Sequence, residues 1–93
     1  MLDRFLMTSE YFKEKRLSAG LTQLEVSDAL GFKSPQIVSN WERGQCAPPT
    51  QCIGDLIELY SLNAAEVVDI ITEENKRYLQ TLLKVKVSSA KLG

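Results

Sequence analysis

Leu21-Thr-Gln-Leu-Glu-Val-Ser-Asp-Ala-Leu-Gly31-Phe-Lys-Ser-Pro35-Gln-Ile-Val-Ser-Asn40-Trp-Glu-Arg-Gly44 decides how the rest of the chain is read. Thr22 stands as the N-cap of a helix, and Glu25 three residues later completes a capping box. Leu24, Val26, Ala29 and Leu30 supply its apolar positions, Ser27 and Asp28 face outward or toward the next helix, and Gly31 ends it. Gly31-Phe32-Lys33 is a turn, with Phe32 placed to plug the angle between two helices. Ser34 caps the second helix and Pro35 takes its first position, where a missing N–H costs nothing.

That second helix has two faces. At about 100° per residue from Gln36, Asn40 falls at about 40°, Arg43 at about 340° and Ser39 at about 300°. Ile37, Trp41 and Val38 fall between about 100° and 200°. Amides, a hydroxyl and a guanidinium thus share one arc and the hydrophobes another. Trp41 belongs to the core and carries no binding role. Two short helices joined in this way, the second offering an amide-rich face, have the layout of a reader of the DNA major groove.

Working outward, Thr8 or Ser9 is placed to cap a first helix running to about Ser18, with Glu10 in its first turn and Gly20 as its stop. Phe12, Arg16 and Ala19 recur along one stripe of it, flanked by Tyr11 and Leu17. Residues 1–7 form a short N-terminal extension that either prolongs the first helix or stays loose. After Gly44, the stiff segment Gln45-Cys46-Ala47-Pro48-Pro49 leads to a fourth helix from about Thr50 to Tyr60, with Ile53, Leu56, Ile57 and Tyr60 facing inward. Asn63 and Glu66 make another capping box and open a fifth helix, rich in Val67, Val68, Ile70 and Ile71. The expected architecture is all-α: a compact five-helix domain over residues 8–71, with an additional C-terminal helix and tail over 72–93.

The C-terminal segment changes character at Thr72. Glu73-Glu74-Asn75-Lys76-Arg77 is polar, and Tyr78, Leu79, Leu82, Leu83 and Val85 then make an amphipathic stretch, with Lys84 and Lys86 late as a helix dipole favours. Either it folds back on its own domain, or Tyr78, Leu79, Leu82 and Leu83 pair with a second copy. Ser88–Gly93 reads as a frayed tail.

Bulk properties exclude several classes. Ninety-three residues make one small domain, and 44% hydrophobic with 25% charged is ordinary for a soluble globular chain. No apolar run approaches the ~18 residues of a membrane span. The opening Met-Leu-Asp-Arg-Phe-Leu-Met is no secretory signal, so the expected location is the bacterial cytoplasm. Net charge is −1 and the isoelectric point 5.4. Residues 1–47 carry six basic and six acidic groups, so affinity for nucleic acid must come from a local patch, amides and helix ends. Cys46 and Cys52 lie close together, but the chain has no histidine. A zinc site takes four Cys or His ligands, so no metal is expected. A disulfide is disfavoured in a reducing compartment. Without a histidine, a glycine-rich phosphate loop or a ligand cluster, the chain does not read as an enzyme, and no cofactor is expected.

Phe12 to Ile71 resembles the lambda-repressor-like (Cro/repressor, XRE-type) helix-turn-helix family. The resemblance rests on the order and spacing of Arg16, Leu21-Thr22-Gln23, Ala29-Leu30-Gly31, Val38-Ser39-Asn40-Trp41-Glu42-Arg43-Gly44 and Pro48. It implies that the third helix lies in the major groove and that Pro35, Gln36 and Asn40, with Ser39 alongside, meet bases. Pro35 offers only apolar contact, for instance to a thymine methyl. Gln36 and Asn40 each have the groups to bond adenine bidentately. The resemblance places phosphate contacts on Gln23, Arg43 and Gln45, with Thr22 at the amino end of the second helix and Lys33 and Ser34 beside the turn. Between Gly31 and Pro35 the turn is one residue longer than the family pattern, which bears on Lys33 and Ser34. Arg16 and Glu42 match a structural ion pair joining the first helix to the third.

These readings converge on a sequence-specific transcriptional regulator of bacterial or phage type, bound to double-stranded DNA as a homodimer on a palindromic operator. A second reading keeps the fold and changes the role. In it the chain is an antitoxin-like or adaptor module that grips a protein partner through its C-terminal helix, with weak or no DNA binding.

Overall fold

The computed structural model describes residues 4–83, which form five helices: α1 Leu6–Ser18, α2 Gln23–Ala29, α3 Gln36–Glu42, α4 Thr50–Leu59 and α5 Ala64–Leu82. Residues 1–3 and 84–93, which include Lys84, Val85, Lys86 and the expected tail 88–93, lie outside the described residues.

Four helices stop by one device. At the end of α3, Gly44 N–H donates to Trp41 O (3.2 Å) and Gln45 N–H to Asn40 O (3.0 Å), with Gly44 at φ +76°. This paired 5→2 and 6→1 closure satisfies carbonyls the helix leaves orphaned, and it needs a left-handed residue that glycine supplies cheaply. The same pair of bonds closes α1 at Gly20-Leu21 and α2 at Gly31-Phe32. At the end of α4 the left-handed residue is Ser61 (φ 55°), followed by Leu62 N–H to Ile57 O at 2.8 Å.

The helix starts are more varied. Thr22 Oγ1 accepts Glu25 N–H (3.0 Å) and Glu25 Oε1 accepts Thr22 N–H (2.8 Å), a complete capping box. These bonds hold the Glu25 carboxyl below the usual carboxylate range. Asn63 Oδ1 caps α5 by accepting Glu66 N–H at 3.0 Å. Helix α1 departs from expectation. It begins at Leu6, and neither Thr8 nor Ser9 is its cap. Leu6 and Met7 favour helix, so nothing local holds the start back to Thr8. Ser9 instead bonds back to Leu6 O (2.9 Å), while Thr8 donates both its N–H and its hydroxyl to the Glu74 carboxylate. A group 66 positions away in sequence thus satisfies a first-turn donor of α1.

Glu74 also explains the second departure. The boundary expected at residues 71–72 falls inside α5, which runs unbroken to Leu82, so the fifth helix and the C-terminal amphipathic segment are one. No glycine or proline interrupts Ala64–Leu82, and Glu73 and Arg77 pair one turn apart at 2.9 Å. The polar run is a continuation of helix that turns Glu74 inward onto α1.

The core comprises Phe12, Val26, Val38, Trp41, Cys52, Leu56, Tyr60 and Val67. Each aliphatic side chain buried there contributes about 1.5–3 kcal/mol. Helix α1 packs on both α3 and α5, and α2 on α3. Several expected core positions face out instead, among them Leu17 (58% exposed), Leu24 (51%) and Val68 (59%), together with Ala19 and Ala29. Helix α2 has only seven residues, and Val26 and Ser27 fill its inward side.

Candidate nucleic-acid interface

Helix α3 is held from behind by charge as well as by grease. Arg16 Nε donates to Glu42 Oε2 at 2.6 Å and its Nη2 to Glu42 Oε1 at 3.0 Å, while Nη1 donates to Leu21 O at 2.7 Å. The side chains are 9% and 4% exposed. A planar guanidinium matches a carboxylate in this forked geometry, so the pair fixes orientation as well as distance. The hydrogen bond to Glu42 holds the Arg16 guanidinium above its usual range, against the opposing effect of burial. Gln23 Nε2 joins the cluster with a 3.0 Å bond to Glu42 Oε1. One residue on α1, the carbonyl before α2, the first residue of α2 and the last of α3 are thereby tied together. Tyr60 is buried beside them, and burial with the Glu42 charge pushes its hydroxyl pKa upward.

The α2–α3 turn is fixed from inside. Ser27, with no exposed surface, donates its hydroxyl to Ser34 O at 2.6 Å. Ser34 Oγ in turn accepts Gln36 N–H at 3.1 Å, and Pro35 adopts a helical conformation just ahead of α3. Phe32 meets Trp41 edge-on, with centroids 6.0 Å apart. Ser27 reads in the sequence as a short polar residue near the next helix; that it buries completely and anchors the turn is legible only in three dimensions.

On the outer side, Pro35, Gln36 and Arg43 are exposed and Ser39 and Asn40 half-buried, whereas Val38 and Trp41 are buried. The outer groups bond to one another. Gln36 Nε2 and Arg43 Nη2 each donate to Asn40 Oδ1, both at 2.8 Å. Thr22, Lys33, Ser34 and Gln45 are exposed around this row. Gln23 differs, being half-buried with its amide turned to Glu42. Between Leu21 and Gln45 the unpaired charges are Lys33 and Arg43 against Glu25 and Asp28, so this face has no excess positive charge.

Far from that face, Leu79 (41% exposed), Leu82 (62%) and Leu83 (39%) line the end of α5. Tyr78 is covered differently: the Arg4 guanidinium lies over its ring, 4.1 Å from the centroid, and also bonds Asn75 at 2.7 Å.

Residues 12–53 match the family model described as helix-turn-helix, a span that holds the Arg16–Glu42 pair, both short helices and the turn. Over those residues the chain is similar to the lambda-repressor-like helix-turn-helix family. That family is one of DNA-binding regulators. Neither a curated protein nor a solved structure matches the chain. Helix α5 lies wholly outside the matched span. Among the described residues, no helix is long and apolar enough to cross a membrane.

Proposed function

We propose that this helix-turn-helix protein is a bacterial or phage transcriptional regulator that reads a palindromic operator as a homodimer, with α3 in the major groove. The observation that carries this is the outward row Gln36, Asn40 and Arg43, joined by hydrogen bonds on a helix whose back is locked to α1 by Arg16 and Glu42. A fixed helix with exposed amides meets the geometric demand of direct readout. In this reading Pro35, Gln36, Ser39 and Asn40 meet bases, and Thr22, Gln23, Lys33, Ser34, Arg43 and Gln45 meet the backbone. Gln23 serves through whatever polar capacity Glu42 leaves it. With few cations on the face, non-specific affinity is modest and the salt dependence shallow.

The domain proper ends within α5, and the helix's last turns with Leu79, Leu82 and Leu83 supply the pairing surface. Two copies then set their α3 helices roughly 34 Å apart, one turn of the duplex. Selection from random duplex DNA, with the protein's mass in solution measured alongside, tests the whole. Two inverted half-sites and a dimer mass are the expected result. Tight binding retained by a Gln36→Ala/Asn40→Ala double variant on the selected site would refute base reading by α3.

A second reading is favoured by those same exposed leucines and the acidic balance: a protein-interaction module that binds through α5. No duplex bound at low salt, with a stable protein complex formed through Leu79 and Leu82, is its signature.

A further inference from the structure

The bonds on the outer face of α3 have a direction. Arg43 carries only donors, so the Asn40 side chain must turn its oxygen, not its nitrogen, toward Arg43. That oxygen then faces Gln36 as well, and Gln36 must answer with its own amide nitrogen. One of the two Gln36 amide hydrogens is thereby committed. The other hydrogen and Oε1 remain, one donor and one acceptor that Asn40 does not engage. An orientation is relayed along the helix from the residue that has no choice to the one that does.

We infer that Asn40 is the positioning residue of the reading helix: its carbonyl oxygen holds Gln36 in an adenine-reading pose and leaves its own amide only donors, which select guanine next to that adenine. The inference rests on α3 being the base-reading helix and deepens that reading by naming the bases. A donor beside an acceptor matches adenine N7 and N6–H in the major groove. A nitrogen with hydrogens alone matches guanine, whose N7 and O6 are both acceptors, and meets a competing donor on adenine N6. Asn40 lies four residues from Gln36, about 6 Å along the helix, so the two bases sit within about two base-pair steps. This departs from the symmetrical expectation that Gln36 and Asn40 both take adenine. The difference arises because the Asn40 oxygen is already occupied twice.

Base preferences of the full chain on a randomised duplex library, for wild type and three variants, test this. Wild type prefers adenine at one position and guanine at a near neighbour, each by about tenfold or more. Gln36→Ala loses the adenine preference alone, which identifies its position. Asn40→Ala loses the guanine preference and also weakens adenine selection at the Gln36 position, an effect beyond its own contact. Asn40→Asp keeps two acceptor oxygens for Gln36 and Arg43 but has no donor. It retains adenine at the Gln36 position and exchanges guanine for cytosine, whose N4 amine donates to a carboxylate. Thermal unfolding of all three variants stays at the wild-type temperature, because both residues lie outside the core. Adenine selected at the Asn40 position, or full adenine preference at the Gln36 position surviving Asn40→Ala, overturns the inference while base reading by α3 stands. A wild-type protein without any base preference overturns both.

Discussion

Arg16 and Glu42, 26 positions apart, meet through two N–H···O bonds in a nearly dry pocket, and this contact joins α1 to α3. Among the described residues every buried side-chain nitrogen and oxygen has a partner, so removing one member of this pair creates an orphan.

Glu42→Ala leaves a buried guanidinium without its counter-charge and Gln23 without its acceptor. The expected loss is about 3–5 kcal/mol in chemical denaturation, a large share of the stability of a domain this size. Replacing both charges by apolar residues, Arg16→Met with Glu42→Leu, recovers much of it. An unchanged unfolding midpoint in Glu42→Ala would remove the pair from its structural role.

Ser27→Ala deletes the hydroxyl that donates to Ser34 O and leaves that part-buried carbonyl without this bond. A cost of about 1–3 kcal/mol follows. Since Ser34 in turn holds the Gln36 N–H, amide exchange at Gln36 should rise as well. Protection at Gln36 equal to wild type would contradict that coupling.

Ser61 occupies a left-handed conformation where the other three helix ends use glycine. Ser61→Gly relieves steric strain at this exposed site and should stabilise by up to about 1 kcal/mol, net of the extra freedom glycine gives the unfolded chain. For a domain of this length that is a rise of about 4–8 °C in Tm. A lowered Tm would show that the serine makes a compensating contact.

Tyr11 donates its hydroxyl to Glu66 Oε1 at 2.8 Å, tying α1 to α5. Burial, first, and then the Glu66 carboxylate push its pKa from 10.0 up to about 12. The unfolded chain therefore loses this proton before the folded one does. The contribution is complete below pH 10 and falls away as pH rises toward about 12. Thermal unfolding across that window should drop more steeply in wild type than in Tyr11→Phe. Parallel curves would dismiss the linkage.

Leu79→Asp/Leu82→Asp places two charges on the apolar end of α5. If that surface pairs two copies, the mass in solution halves and affinity for an inverted-repeat duplex falls about a hundredfold or more, through lost effective concentration. The monomer's own stability should hold, because both positions are exposed. An unaltered dimer would place the pairing surface elsewhere.

Much of this molecule was legible in its sequence, and the reason is locality. Thr22 with Glu25, the Asn63 cap, and glycines at 20, 31 and 44 act within one turn of helix, so their consequences follow from spacing alone, whereas the Glu66 half of the second expected box bonds Tyr11 instead. The separation of Gln36, Asn40 and Arg43 from Val38 and Trp41 is likewise periodicity. Three features resisted such reading. The first turn of α1 is bonded by Glu74, whose polar neighbours suggested a break in the chain although it accepts from Thr8 of another helix. Ser27 carries no hint of burial in its type or spacing. Gln23 follows the pattern of a backbone clamp, yet its amide is drawn to Glu42.

The sequence by itself determined the all-helical architecture and which helix presents amides, because capping, helix termination and helical period are short-range properties of the chain. Only the tertiary structure decided that Glu74 bonds the first turn of α1, that Ser27 is buried under the turn, and which atoms of Gln36 and Asn40 meet. Those outcomes depend on partners brought together by folding across tens of residues, or on the direction in which a donor meets an acceptor. Neither is encoded in residue type or spacing.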